Sequence, residues 1–299
     1  MALANNPSTK NSKFPLGFVA PTRFVITDKE FELFQQLIHR ETGITLSPKK
    51  KELIVSRLAK RLRALKLDSF SNYYQFLTED EGGPQEMGQL VNRMTTNKTE
   101  FFREAHHFEF LADELLPALA AEKQRTREFR IRAWSAACST GEEPYTLAIT
   151  MCEFSADHPS WDIKILATDL DTEVLSHASR GTYSQDRVAP VPKGLRAKYF
   201  GKIAGASPPA YQVSPELQEM ISFRQFNLHR PTYPFKGKFD FIFCRNVMIY
   251  FSMPDKIELL RKLHTILKPG GHIFVGHSES LMMVKDIFKY IKNTIYKKT

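Results

Sequence analysis

Apolar positions in the first third of this chain recur every three to four residues, the period of a helix with one buried face. Phe31, Phe34, Leu37 and Ile38 share such a face, with Asp28 as the expected capping residue and Gly43 as the stop. Ser47 followed by Pro48 predicts a second helix, a capping hydroxyl and then a proline in the first turn. In it Ile54, Leu58, Leu62 and Leu65 fall on a stripe about 80° wide at ~100° per residue. Residues 22–94 are therefore expected to form an all-α domain. Residues 1–21, rich in Asn, Ser, Pro and Lys, are expected to be a disordered tail.

From Phe129 onward the pattern changes to short apolar runs alternating with helical ones. Phe129 to Trp134 reads as a strand, Ser135 to Gly141 as a small-residue turn, and Glu142 to Met151 as a helix. Strands follow at Ile163 to Ala167, Phe239 to Cys244, His272 to Gly276 and Ile291 to Tyr296, with helices at Thr172 to Ser179 and Pro254 to Leu267. Such alternation implies a mostly parallel sheet covered on both faces, so residues 95–299 are expected to be a Rossmann-like α/β domain. The stretch Arg187 to Phe226 is rich in Pro and Gly, with short strand-like pieces at Ala210 to Val213 and Ile221 to Phe226. A small inserted antiparallel β-subdomain is expected there, at about residues 198–226.

Composition adds little to this fold: 299 residues, 42% hydrophobic and 25% charged, suffice for two domains with a sizeable core. No apolar run approaches the roughly 18 residues needed to cross a bilayer, and the first twenty residues lack the apolar core of a secretion signal. Cys138, Cys152 and Cys244 show neither disulfide nor zinc spacing, so a reduced cytoplasmic setting is expected. The net charge of +9 matters more for its location than its size. Residues 47 to 67 carry eight basic side chains and one acid, and Arg57, Lys60, Arg61 and Arg63 sit off the apolar stripe of the second helix.

Candidate chemistry concentrates in the turn after the strand at Phe129. Strand, small-residue turn and helix N-terminus is the arrangement by which α/β sheets receive nucleotide-like ligands. Glu142 and Glu143 at that terminus would repel a pyrophosphate, so a ligand presenting an ammonium fits better. That points from a dinucleotide towards S-adenosylmethionine. Asp169, ending the next strand, is placed to accept two ribose hydroxyls, or else to cap the helix at Thr172. In M-T-T-N-K-T-E-F-F-R-E-A-H-H-F, Thr96 or Asn97 is expected to cap a following helix, which leaves Arg103 unexplained. His106 and His107, adjacent on that helix, are not expected to face one metal ion. Arg245 and Asn246 follow a strand at the ligand-binding edge, and Tyr250 suits either a core ring or a site hydroxyl.

Five ordered blocks carry a family resemblance: T-T-N-K-T-E-F-F-R-E-A-H-H-F, W-S-A-A-C-S-T-G-E-E-P-Y, A-T-D-L-D-T-E-V-L, F-C-R-N-V-M-I-Y-F and L-K-P-G-G-H-I-F-V-G-H-S-E-S. Together they resemble the chemotaxis receptor glutamate O-methyltransferases, the CheR family, from about Phe24 to the C-terminus. The resemblance implies an S-adenosylmethionine-dependent enzyme, releasing S-adenosylhomocysteine, that esterifies glutamates on the acidic cytoplasmic helices of methyl-accepting chemotaxis receptors. By motif position Asn97, Thr99, Arg103, Glu143, Asp169, Asn227, Leu228, Arg245 and Asn246 would line the cofactor site. Arg103 and Tyr250 would stand beside the transferred methyl group.

On that implication Arg57, Lys60, Arg61 and Arg63 gain an acidic receptor face on which to dock. In some members a small β element captures a pentapeptide at the receptor's C-terminus by adding a strand; the A-G-A-S-P-P loop, Ala204 to Pro209, leaves that use open. No metal, nucleic-acid partner or membrane insertion is expected. Two rivals remain at this stage. One is a nucleic-acid methyltransferase suggested by the charge, although C-R-N-V-M-I-Y lacks the N/D-P-P-Y/F signature of many base-modifying enzymes. The other is a non-catalytic S-adenosylmethionine sensor, which would not need Arg103 and Tyr250.

Overall fold

The computed structural model describes residues 23–156, 158 and 160–299; the expected tail, 1–21, lies outside the described residues. The N-terminal part is helical: α1 (Asp28–Thr42), α2 (Lys51–Ala64), α3 (Phe70–Glu79) and α4 (Gly83–Met94). Thr27, not Asp28, caps α1. Its hydroxyl accepts from the Glu30 amide at 3.2 Å, and the Glu30 carboxylate accepts from the Thr27 amide at 2.8 Å, a reciprocal box that satisfies two open backbone donors. Ser47 and Pro48 lead first into a short 3-10 turn, Pro48–Lys50, and the Ser47 hydroxyl makes no cap. The apolar stripe of α2 is narrower than expected: Ile54, Leu58 and Leu62 are fully buried while Leu65 is only partly so. They pack with Phe34 of α1 and with Phe70 and Tyr73 of α3, the Phe34 and Tyr73 rings stacking at 5.8 Å.

The second domain is built on ten strands: β1 (Arg130–Ala136), β2 (Asp162–Asp169), β3 (Thr182–Ser184), β4 (Phe200–Lys202), β5 (Ala210–Val213), β6 (Ile221–Gln225), β7 (Phe239–Cys244), β8 (Leu267–Phe274), β9 (Phe288–Lys292) and β10 (Ile295–Lys298). Its main sheet runs β6-β2-β1-β7-β8-β10-β9, parallel from β6 to β8, with β10 antiparallel to both of its neighbours. Helices cover both faces, and each face has its own core. One centres on Trp134, which packs edge-on to Phe226, Tyr233 and Phe235 and stacks on Phe239. The other contains Phe108, Phe243 and Phe274, the last two stacked at 4.1 Å.

The strand pattern departs from expectation in three places. The final strand is a hairpin: Asn293 and Thr294, at φ 44° and 61°, turn the chain between β9 and β10. β8 starts at Leu267 and runs through Pro269-Gly270-Gly271, which produce a register shift against β7 rather than a break. The small antiparallel sheet, placed at about 198–226 from sequence, has the order β3-β5-β4 and so spans 182–213. β6 instead joins the edge of the main sheet, where Ile221 pairs with Ile165. A short edge strand with one wet face has the same pattern in either sheet, so only its partner distinguishes the two.

The sheet order reverses direction between β1 and β7, which opens a crevice at the carboxyl ends of these two strands. The helical domain closes one side of it. Ile44 forms a bridge with Phe251, the Thr45 amide donates to the Tyr250 carbonyl at 2.8 Å, and the Asn227 side chain donates to the Glu41 carbonyl at 2.7 Å. Asn92 of α4 exchanges two hydrogen bonds with Thr172, at 3.0 and 3.2 Å. Among the described residues no helix is long and apolar enough to cross a membrane.

Candidate active site

The turn after β1 is shaped by backbone that side chains usually avoid. Ala137 and Ser139 adopt φ 62° and 50°, and Gly141 adopts 96°. A Cβ on Gly141 would stand 2.7 Å from the Tyr183 hydroxyl and 2.8 Å from the Ala178 Cβ, so glycine is required both by conformation and by the close approach of the helix α8 (Thr172–Arg180). The turn presents the Ser139 amide to Asp169, whose Oδ2 accepts it at 2.8 Å, while Asp169 Oδ1 accepts the Asp171 amide at 3.0 Å. Burial pushes the Asp169 carboxyl up to about 6, against these backbone bonds. The capping alternative for Asp169 is excluded: Asp171 caps α8, accepting from the amides of Glu173 and Val174. The other Asp171 oxygen holds the Asn97 side chain at 2.8 Å and the Thr95 hydroxyl at 2.9 Å. Neither Thr96 nor Asn97 caps a helix, because residues 95–100 form no regular secondary structure and instead line the crevice as a loop.

The two glutamates at the start of the following helix, Glu142–Ser155, diverge. Glu142 turns away from the crevice, pairing with Arg187 and accepting from Thr140 at 2.7 Å. Glu143 faces the crevice; burial raises its carboxyl, opposed by Arg245 at 3.1 Å and the Ser135 hydroxyl at 2.7 Å. Arg245 also lies 3.2 Å from Glu104 and donates to the Arg103 carbonyl. Burial works against the Glu104 charge, but Arg245 and His277 outweigh it and hold the carboxyl down at about 2. The peptide around Arg103 is thereby fixed in an unusual form, with Phe102 and Glu104 both at φ 57°. The half-buried Arg103 guanidinium donates to the Lys98 carbonyl at 2.8 Å. Asn246, also at φ 57°, is set by its amide donating to Glu279 at 2.9 Å.

His106 and His107 do converge, contrary to expectation: their rings approach to 4.2 Å, and with Glu104 their ligand-type atoms lie within 4.8 Å of one another. The 100° between neighbouring helical positions separates their Cβ directions but not ring tips turned to one carboxylate. His107 is committed elsewhere, its Nε2 at 3.0 Å from the Asn293 carbonyl, and burial followed by the Arg245 charge pushes its pKa down to about 3.

One cavity, about 940 Å3 counting its open mouth, gathers these groups. Asn97, Thr99, Arg103, Glu143, Asp169, Asn227, Leu228, Arg245, Asn246 and Tyr250 all line it, as do Thr42 and Ile44 of the helical domain. Arg57, Lys60, Arg61 and Arg63 do not, and two of them have internal partners. Arg57 donates to the Thr95 carbonyl at 2.9 Å and the Thr96 hydroxyl at 2.8 Å; Arg61 forks onto the buried Glu86, which also accepts from Tyr73 at 2.8 Å. Arg63 lies over the Phe24 ring, and both it and Lys60 are exposed. Sequence reasoning does not single out Glu104, Asp171 or Ser139, since Glu104 meets Arg245, Asp171 holds Thr95 and Asn97, and Ser139 meets Asp169, all distant along the chain.

The donor set suits a nucleoside with an aminoacyl sulfonium tail: a carboxylate with unused lone pairs at Asp169, a second carboxylate at Glu143, and side-chain amides between. Comparison with known proteins agrees. Residues 97–297 match the model of the CheR methyltransferase S-adenosylmethionine-binding domain, and residues 29–95 match that of the CheR methyltransferase all-alpha domain. Chemotaxis protein methyltransferase 2 of Pseudomonas aeruginosa is 40% identical over 275 residues, 91% of this chain and 94% of that protein. The chemotaxis protein methyltransferase of Borreliella burgdorferi is 39% identical over 274 residues, 91% and 95%, and that of Escherichia coli 38% over 275 residues, 92% of each. With both domains matched in order and most of each relative covered, the chain belongs to the CheR methyltransferase family and is an S-adenosylmethionine-dependent methyltransferase.

Proposed function

We propose that this methyltransferase esterifies glutamate side chains on the cytoplasmic helices of chemoreceptors. The observation that carries the reading is that Arg103 and Tyr250 line the same cavity as Asp169 and Glu143, which supports taking the first pair as carboxylate-positioning groups and the second as nucleoside- and ammonium-binding ones. S-adenosylmethionine, when bound, supplies a methyl group on a sulfonium. Asp169 would take the ribose hydroxyls, and Glu143 would take the ammonium, with Arg245 opposing the effect of burial on its carboxyl. A substrate carboxylate, pKa about 4.3 when unperturbed, already holds its nucleophilic pair, so no base is needed. Its oxygen would take the methyl carbon as that carbon's bond to sulfur breaks, the bonding pair passing to sulfur. Arg103 and Tyr250 orient that carboxylate in line with the leaving sulfur. An overly close ion pair would weaken the nucleophile, and the anchoring of Arg103 on the Lys98 carbonyl fits an orienting role.

The receptor's acidic helices would meet the exposed Lys60 and Arg63, with Arg57 and Arg61 contributing field rather than free side chains. The β3-β5-β4 sheet, with its outer strands β3 and β4, is where a receptor tail peptide would add. A nucleic-acid methyltransferase and a non-catalytic sensor are both disfavoured by the family match over both domains. Transfer of radiolabelled methyl to receptor-rich membranes and to RNA tests the reading. Base-labile label on receptor protein is expected; label on RNA, or base-stable protein label, would overturn it.

A further inference from the structure

Three side chains of metal-ligating type converge at the junction of the two domains, outside the methyl-transfer cavity. His39 lies in the last turn of α1, His229 in the loop after β6, and Asp255 in the first turn of the helix Met253–Ile266. His39 Nε2 is 3.0 Å from Asp255 Oδ2, His229 Nδ1 is 4.0 Å from Asp255 Oδ1, and the two imidazole centroids are 5.3 Å apart. All three donor atoms fall within 4.8 Å of one another. A tetrahedral ion with bonds of about 2.1 Å sets its ligands about 3.4 Å apart, and the two histidines stand at the comparable distances of 3.0 and 4.0 Å from the two oxygens of the one carboxylate.

We propose that His39, His229 and Asp255 form a binding site for a late first-row divalent ion such as Zn2+. Two imidazoles and one carboxylate are a donor set that such ions prefer to Mg2+ or Ca2+, which take oxygen ligands. The ligands are held by their surroundings. Ser252 donates its hydroxyl to Asp255, the His229 amide donates to the Asn227 side chain at 2.8 Å, and the His229 ring lies so close to Gly43 that a Cβ there would stand 2.8 Å from Nδ1. Among the described residues the salt bridges of Asp255 are to these two histidines, so no lysine or arginine competes for its charge. His39 is 41% exposed, which leaves an entry path and a fourth position for water.

The ligands come from both domains and flank the cavity wall. His39 precedes Thr42 by about one turn, Ile44 follows just past the helix end, and His229 directly follows Asn227 and Leu228; Thr42, Ile44, Asn227 and Leu228 all line the cavity. A bound ion staples the helical domain to the sheet domain along that wall and touches none of the methyl-transfer residues.

The test uses the full chain, stripped with a chelator and titrated with Zn2+ alone, followed by calorimetry and by metal content after dialysis. One ion per chain and a rise in Tm are expected. His39→Ala and Asp255→Asn should each weaken binding by about tenfold or more, and should remove the d–d absorption that bound Co2+ gives. His39→Ala, at a half-exposed position, is the variant expected to keep its circular dichroism unchanged. No Zn2+ uptake by the unaltered protein, or uptake undiminished in His39→Ala and Asp255→Asn, would overturn the site.

Discussion

Arg245 Nη1 stands 3.1 Å from the Glu143 carboxylate, and the arginine side chain is only 2% exposed. The same guanidinium reaches Glu104 at 3.2 Å and the Arg103 carbonyl. One buried cation therefore ties the floor of the cavity to the peptide that carries Arg103. Its removal leaves two carboxylates in a dry site without their partner. Arg245→Ala is expected to cost about 3 kcal/mol of unfolding free energy, the scale of breaking a buried pair from one side. Urea denaturation measures it, and a loss within about 0.5 kcal/mol of zero, ordinary for a surface change, would show the pairings to be dispensable.

Arg103 is expected to act on turnover more than on cofactor affinity. Arg103→Ala should lower kcat on receptor substrate by about a hundredfold, since positioning of the reacting group is lost. S-adenosylhomocysteine affinity should fall by much less. Arg103→Lys keeps the charge but not the planar fork, and should lose about tenfold. Full turnover by the lysine variant would remove the orienting role.

The raised Asp169 carboxyl gives cofactor binding a defined pH dependence. Its pKa of about 6 in the folded protein means that the ionised acceptor is fully present above pH 7 and is lost as pH falls through 6. Binding that needs two accepted ribose hydroxyls should weaken by up to about tenfold per pH unit below 6. Because burial raises this pKa above the unfolded value, the same group favours folding more at low pH, so the lost affinity is not explained by unfolding at Asp169. Calorimetric titration of S-adenosylhomocysteine from pH 5 to 8 checks it; in Asp169→Asn the affinity should be low and this pH step absent.

The basic helix should split into two kinds of residue. Arg61→Ala strands Glu86, which is 5% exposed, and should destabilise the protein by about 2 kcal/mol. Lys60→Ala and Arg63→Ala should leave stability within about 0.5 kcal/mol but raise the KM for receptor at low salt. Those KM differences should shrink as ionic strength rises. Methylation rates indifferent to salt and to both exposed residues would exclude docking by this face.

Much of this architecture was legible in local pattern. Period 3.6 in Phe31, Phe34, Leu37 and Ile38 and the apolar run of Phe241 to Cys244 each report burial directly, and both elements formed where expected. Elements whose state depends on a distant partner were not legible. β6 looks the same in an insert as at a sheet edge, and Thr96 or Asn97 reads as the cap of a following helix until Asp171 is seen to hold the Asn97 and Thr95 side chains. Glu142 and Glu143 are adjacent and chemically alike, yet Arg187 claims one and Arg245 the other.

The grouping of Arg103, Asn227, Arg245 and Tyr250 comes from the family resemblance, not from periodicity. By itself, then, the sequence determined the α-then-α/β order and the small-residue turn before Glu142. These follow from propensity, periodicity and side-chain chemistry, all local quantities. Only the tertiary structure decided that Glu104 and Arg245 brace Arg103, that Asp171 rather than Asp169 caps α8, that Arg57 and Arg61 are spent internally, and that His39, His229 and Asp255 meet. Apart from the local bonds of the Asp171 cap, these depend on groups 25 to more than 200 residues apart, as in the 25 between Arg61 and Glu86, the 142 between Arg245 and Arg103 and the 216 between His39 and Asp255. Burial and charge pairing at such separations are set by the packed sheet and its docked helices, and no local pattern encodes them.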